Sequence, residues 1–239
     1  LALDVTMGIL FSRGPALDFG KVERLCLELT SEGQGAIAIS SYLSPNTALL
    51  LGQADTVDRF KLAMTDVFEK KIHLRKNPNH WPPLHTPLTW QKNIPNQVGV
   101  ILASSPGGFT VPQPPILSCV TGDMAYTETN SRDILTRWVD HPQKLWDVVD
   151  KMLASGVEHI IHVGPEPNII PATFDRLNNN IAAQLDSGTL TSLGLRAISH
   201  IARRRPWLTS LIKSDATLLR APFVEQIILE DWLLEQVVA

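Results

Sequence analysis

Cysteine is nearly absent from this chain, with only Cys26 and Cys119 among its 239 residues. One pair at most cannot build the disulfide framework of a small secreted domain, so the expected compartment is the cytoplasm. No signal peptide opens the sequence, and no apolar run approaches the ~20 residues that cross a bilayer, so no membrane partner is expected. Positive charge is not in excess either. The formal net charge of −3 excludes a general nucleic-acid binder and leaves room for a local basic patch facing an anionic ligand. Repeats and low-complexity tracts are missing, and no set of His, Cys and acidic residues has metal-ligand spacing, so no metal site is expected. A G-x-S-x-G nucleophile elbow occurs nowhere in the chain. What remains is 44% hydrophobic and 19% charged, an ordinary soluble composition for one domain or two small ones.

Along the chain, Val5 to Phe11 is a strand-like run that closes at Gly14-Pro15. Asp18 caps a helix reaching about Thr30, with Val22, Leu25, Cys26 and Leu29 on one face. Two β runs, Ala36 to Ser41 and Thr47 to Leu51, are joined through Ser44-Pro45-Asn46. Asp55 opens a second helix with Val57, Phe60, Met64, Val67 and Phe68 inward, and Lys71 to Arg75 makes a fourth strand. The order βαββαβ is that of a ferredoxin-like unit with both helices on one sheet face. From Asn77 the chain turns into a proline-stiffened loop around Trp81, His85 and Trp90, a kind of connection on which chemistry is often placed.

Ile94, Val98, Ile101 and Leu102 recur at helical spacing, and Ile116 to Val120 reads as a buried strand stopped at Gly122. Ser131 begins a helix holding Ile134, Leu135 and Trp138. Pro142 suits the first turn of the next helix, which buries Leu145, Val148, Val149 and Met152 and ends at Gly156. Val157 to Val163 is a strand running into Gly164-Pro165, and Phe174, Leu177, Ile181 and Leu185 mark a helix. Strands alternating with helices imply a parallel sheet. Leu195, Ile198 and Ile201, then Leu218, Leu219 and Phe223 to Val238, make a helical extension.

Four segments carry a family resemblance. Pro83-Leu84-His85-Thr86-Pro87-Leu88 resembles the histidine motif of the malonyl-CoA:acyl carrier protein transacylase family, where the histidine follows a ferredoxin-like subdomain. Ser44-Pro45 with Leu49-Leu50-Leu51-Gly52 is similar to the hairpin inside that subdomain. Pro115-Ile116-Leu117-Ser118-Cys119-Val120-Thr121-Gly122 is similar to the strand returning to the hydrolase-like core. Gly156-Val157-Glu158-His159 through Val163-Gly164-Pro165 resembles the closing strand and its turn. In this order the four identify residues from about Met7 to Leu185 as resembling the C-terminal portion of that family, without the nucleophile elbow.

The resemblance implies an α/β fold, with a ferredoxin-like subdomain over residues 5–76 and part of a hydrolase-like α/β domain over 77–186; the helical extension over 187–239 lies outside it. It implies transfer of a malonyl or similar short acyl group from coenzyme A to the phosphopantetheine thiol of acyl carrier protein through a serine ester, in fatty acid or polyketide synthesis. His85 matches the general base, and Trp138 falls where a backbone carbonyl orients that imidazole. No cofactor is implied, since the coenzyme A thioester is the substrate; the residues that bind it are not assigned. The family places its nucleophile roughly a hundred residues before the histidine, whereas 84 residues precede His85 here. The chain alone is therefore expected to be inactive. Leu84 replaces a small residue, Leu43 and Cys119 stand where asparagines are common, and Glu166 replaces a glycine.

Plainer roles compete elsewhere. His159 and His162 are read as structural, His73 and His80 as exposed, and both thiols as packed. Arg203 to Arg205 is either a basic dock for an acidic carrier protein or coenzyme A phosphates, or a solvated helix end. The rival reading of the whole chain is a non-catalytic ferredoxin-like module that binds a carrier protein or small ligand.

Overall fold

In β1 (Val5–Ser12), Val5 and Leu10 lose all contact with solvent, and the strand lies at the middle of an antiparallel sheet. The computed structural model describes residues 5–12, 16–68, 71–164, 173–174, 177–178 and 214–237. The chain divides into two compact units, Leu1–Val148 and Val149–Ala239.

The first unit opens with β1, α1 (Phe19–Ser31), β2 (Ile37–Ser44), β3 (Thr47–Gln53), α2 (Thr56–Val67) and β4 (Ile72–Trp81), in the expected βαββαβ order. The strands lie in the spatial order β2-β3-β1-β4, and every neighbouring pair is antiparallel. Asp18 caps α1 by accepting from the Lys21 amide at 3.1 Å, and Val22, Leu25, Cys26 and Leu29 are its buried face, as the 3.6-residue period requires. In α2, Val57, Phe60 and Met64 face inward, but Val67, in the last turn, is 39% exposed. Both helices cover one sheet face, over a core that includes Leu10, Ile39, Ala48, Leu50 and Leu74. Side chains alternate across a strand, so Leu51 points to the opposite face and meets Val5 and Leu88 there. A Cβ on Gly52 would overlap the Thr56 hydroxyl, so glycine is what lets β3 run directly under the start of α2.

β4 is longer than the sequence suggests. It continues through Pro78 to Trp81, where a loop was expected. Pro78 is tolerated because β4 is an edge strand and because the register with β1 shifts between Thr6↔His80 and Gly8↔Lys76, leaving residues 77–79 in a bulge.

A 3₁₀ helix (Pro87–Lys92) follows, then α3 (Ile94–Ser104), α4 (Ser131–Asp140) and α5 (Leu145–Ala154). Pro142 thus stands ahead of α5 rather than in its first turn. The strand expected at Ile116 to Val120 does not form. Gly122 donates to the Ser118 carbonyl (2.7 Å) and Ser118 to the Asp123 carbonyl (3.0 Å), so the segment folds back on itself in a tight turn and leaves Ile116 49% exposed. Gly122 holds φ +77, and a Cβ there would come within 2.6 Å of Asp147 Cβ.

In the second unit, β5 (His159–His162) pairs in parallel with β6 (Glu225–Ile228), so the extension read as helical also supplies a strand. It continues as α6 (Leu229–Val237) after a 3₁₀ helix (Ser214–Phe223). β5 is shorter and more exposed than a buried strand: Ile161 is 58% exposed, and Val163, 77% exposed, lies past its end. The buried Arg220 guanidinium donates to the carbonyls of Leu153 and Val157, the favourable place for a cation at a helix C-terminus. Residues 173–174 and 177–178 are helical, with Phe174 and Leu177 buried. Ile181, Leu185, Leu195, Ile198, Ile201 and Arg203 to Arg205 lie outside the described residues. Among the described residues no helix is long and apolar enough to cross a membrane.

Candidate active site

The loop that carries His85 is anchored on both sides. Leu88 buries its side chain against Val5 and Leu51 beneath the sheet, fixing the 3₁₀ helix that follows the histidine. Thr86, fully buried, donates its hydroxyl to the Pro83 carbonyl at 2.6 Å, and Thr89 donates to the Thr86 carbonyl at 3.0 Å. From β2, the Ser40 hydroxyl reaches the Leu84 carbonyl at 3.2 Å. The same strand pairs with the connection after α4: Gln143 donates to the Ser40 carbonyl and Tyr42 to the Gln143 carbonyl, each at 2.9 Å. The end of α4 is thereby brought to the histidine loop.

His85 itself adopts φ +63, a left-handed conformation that a non-glycine residue rarely takes. Such strain costs on the order of 1–3 kcal/mol and persists where the surroundings hold it. Two contacts with the end of α4 do so. The His85 amide donates to the Val139 carbonyl at 2.7 Å, and the ring Nδ1 lies 2.6 Å from the Trp138 carbonyl. The Trp138 indole packs edge-on against the imidazole, with ring centroids 4.6 Å apart and planes at 80°. A carbonyl oxygen can only accept, so Nδ1 carries the hydrogen, and the lone pair of the neutral ring resides on Nε2. The arrangement therefore offers a basic nitrogen in one defined tautomer. His85 and Trp138, both singled out from the sequence, meet here.

Trp90 donates its indole N–H to Asp140 at 2.7 Å, and the other Asp140 oxygen lies 2.6 Å from His141 Nδ1. Sequence reasoning assigned Trp90 only to the loop and passed over Asp140, Val139 and Ser40. The available signal was slight: a polar-tipped aromatic in a proline-stiffened loop needs a hydrogen-bond partner. Of the remaining histidines, His73 is half-buried against Phe11, with ring centroids 5.6 Å apart, rather than exposed as expected. His80 is exposed. His159 pairs with Glu225 at 2.8 Å, and buried His162 meets Gln226 at 3.1 Å. Burial raises the thiol pKa of Cys119, and burial followed by the Glu23 carboxylate pushes Cys26 up to about 12; neither is poised as a thiolate. No group of three or more His, Cys, Asp or Glu side chains able to hold a metal occurs among the described residues.

No family model and no curated protein matches the chain. Solved structures do. FabD from Acinetobacter baumannii superposes with a TM-score of 0.58 at 18% identity, over 77% of this chain and 60% of that one. The malonyl-CoA:acyl carrier protein transacylase of Xanthomonas oryzae pv. oryzae gives 0.59 at 20% identity, over 75% and 53%. The chain has the malonyl-CoA:acyl carrier protein transacylase fold. A third structure with this fold, a malonyl-transacylase bound to a type II polyketide acyl-carrier protein, gives 0.57 at 20% identity, over 73% and 52%. The chain thus spans between about half and 60% of the length of these transacylases.

Proposed function

We propose that this chain contributes the general base of an acyltransferase moving a malonyl or similar short acyl group from coenzyme A to the phosphopantetheine thiol of an acyl carrier protein. The observation that supports the reading is the 2.6 Å contact between His85 Nδ1 and the Trp138 carbonyl, within a fold shared with malonyl transacylases. On this reading Nε2 of His85 takes the proton from a serine hydroxyl, whose oxygen attacks the thioester carbonyl. Collapse of the tetrahedral intermediate expels the coenzyme A thiolate, which takes the proton back from the imidazolium and leaves an acyl-serine ester. The carrier thiol then gives its proton to Nε2 and attacks the ester, and the serine oxygen departs with that proton. Trp138 orients the ring throughout. No cofactor takes part, and the setting is fatty acid or polyketide synthesis in the cytoplasm.

The chain carries no G-x-S-x-G, so by itself it forms no acyl-enzyme. Joined to a polypeptide that presents such a serine in the transacylase fold, it gains the mass of one acyl group from malonyl-CoA on intact mass spectrometry. In that enzyme His85→Ala lowers turnover of a carrier-protein acceptor by about 10²–10⁴-fold, the range of general-base catalysis. Unchanged turnover in His85→Ala removes the imidazole from the mechanism and favours the non-catalytic binding module instead.

A further inference from the structure

The end of α4 touches the histidine loop at three successive residues. Trp138 takes the imidazole through its carbonyl (2.6 Å), Val139 takes the His85 amide (2.7 Å), and Asp140 takes the Trp90 indole through its carboxylate (2.7 Å). The first two rungs are at His85 itself. The third lies five residues farther along, inside the 3₁₀ helix that Leu88 anchors. The Asp140 side chain is only 9% exposed, so its bond to Trp90 is made by a largely desolvated carboxylate, a setting in which charge-assisted hydrogen bonds are strong. Its second oxygen is taken by His141, which is 49% exposed.

We propose that Asp140 is a positioning residue for His85: by holding Trp90, it locks the end of α4 against the histidine loop and keeps the Trp138 carbonyl in line with Nδ1. The inference builds on the reading of His85 as the base, but its test needs no catalysis. Without the Trp90–Asp140 rung, the end of α4 is held only through the Val139 carbonyl and the Gln143 pairing with β2, and the Trp138 carbonyl gains room to turn away from the ring. Nδ1 then meets its acceptor less often, and a larger share of the rings carries the hydrogen on Nε2, the nitrogen that must stay unprotonated to act as a base.

The tautomer is read by nitrogen-15 NMR of the imidazole at a pH where the ring is neutral, with the His85 signals assigned from their absence in His85→Gln. The unsubstituted chain is expected to show mainly the Nδ1–H form. Asp140→Ala and Trp90→Phe should each lower the ratio of Nδ1–H to Nε2–H by about fivefold, the factor that one hydrogen bond of ordinary net strength sets. Asp140→Asn keeps an oxygen for the indole and should restore most of the ratio. His141→Gln should leave it unchanged. Trp90 is 50% exposed, so Trp90→Phe carries the test if Asp140→Ala does not fold. An unshifted ratio in folded Trp90→Phe overturns the proposal, as does a His141→Gln shift as large as that of Asp140→Ala. A chain that already favours Nε2–H without substitution sinks the general-base reading and this proposal together, whereas an unshifted ratio in a chain that favours Nδ1–H sinks the proposal alone, which keeps the two failures apart.

Discussion

Burial pushes the Cys26 thiol up to about 12, with the Glu23 carboxylate adding to it, whereas an unburied thiol titrates near 9.0. The folded chain thus holds a proton that the unfolded chain gives up first. The sign follows from linkage: this contribution is fully present below pH 9.0 and is lost as pH rises toward about 12. Denaturant midpoints should fall across that window, and Cys26→Ala should flatten part of the fall; an equal fall in both chains would show that other groups set it. Cys26 was legible in the sequence because its place on the apolar stripe of α1 is a matter of local period. His85 is a different kind of residue. Its motif was legible, but its φ of +63 was not, since nothing in a proline-stiffened loop announces which residue will take the left-handed turn.

Elements formed where the sequence expected them when their signals were local. Asp18 and the four-residue apolar stripe define α1 without help from the rest of the chain. Signals that depend on neighbours misled. Pro78 reads as a breaker, yet it sits in β4 because that strand is at the sheet edge and bulged there. Ile116 to Val120 has the composition of a buried strand, yet among the described residues its only pairing is the Ser118–Asp123 bridge. The element that matters most to the site is the 3₁₀ helix after His85, and Leu88 is its anchor at 3% exposure. Leu88→Ala should cost about 2–5 kcal/mol in chemical denaturation, the range for truncating a buried leucine. It should also speed hydrogen exchange at the His85 and Thr89 amides beyond any change in α1. Equal exchange in both places would mean that Leu88 supports the sheet generally and not the loop.

At the scale of the whole molecule, the two units are held by different means. The first has the layered core around Leu10, Leu50 and Phe60. The second relies on residues far apart in sequence: β6 pairs with β5, and Arg220 caps the carbonyls of Leu153 and Val157. Deleting residues from 214 onward removes both supports. Amides of β5 should then exchange at least tenfold faster, equivalent to a loss of about 1.4 kcal/mol, while those of β1 and β3 keep their protection. Protection retained in β5 would show that β6 is not what holds it. The sequence alone determined the βαββαβ order, the inward faces of α1 and most of α2, and the loop on which His85 would stand, because capping, periodicity and turn chemistry act within a few residues. The resemblance pointed to the Trp138 carbonyl, 53 residues from His85, but only the tertiary structure decided that it would lie 2.6 Å from the imidazole on the Nδ1 side, that Asp140 would take the Trp90 indole, and that β6 would join β5. Hydrogen bonds of that span are set by where the chain returns, and a strand exists only where another backbone is present to pair with it.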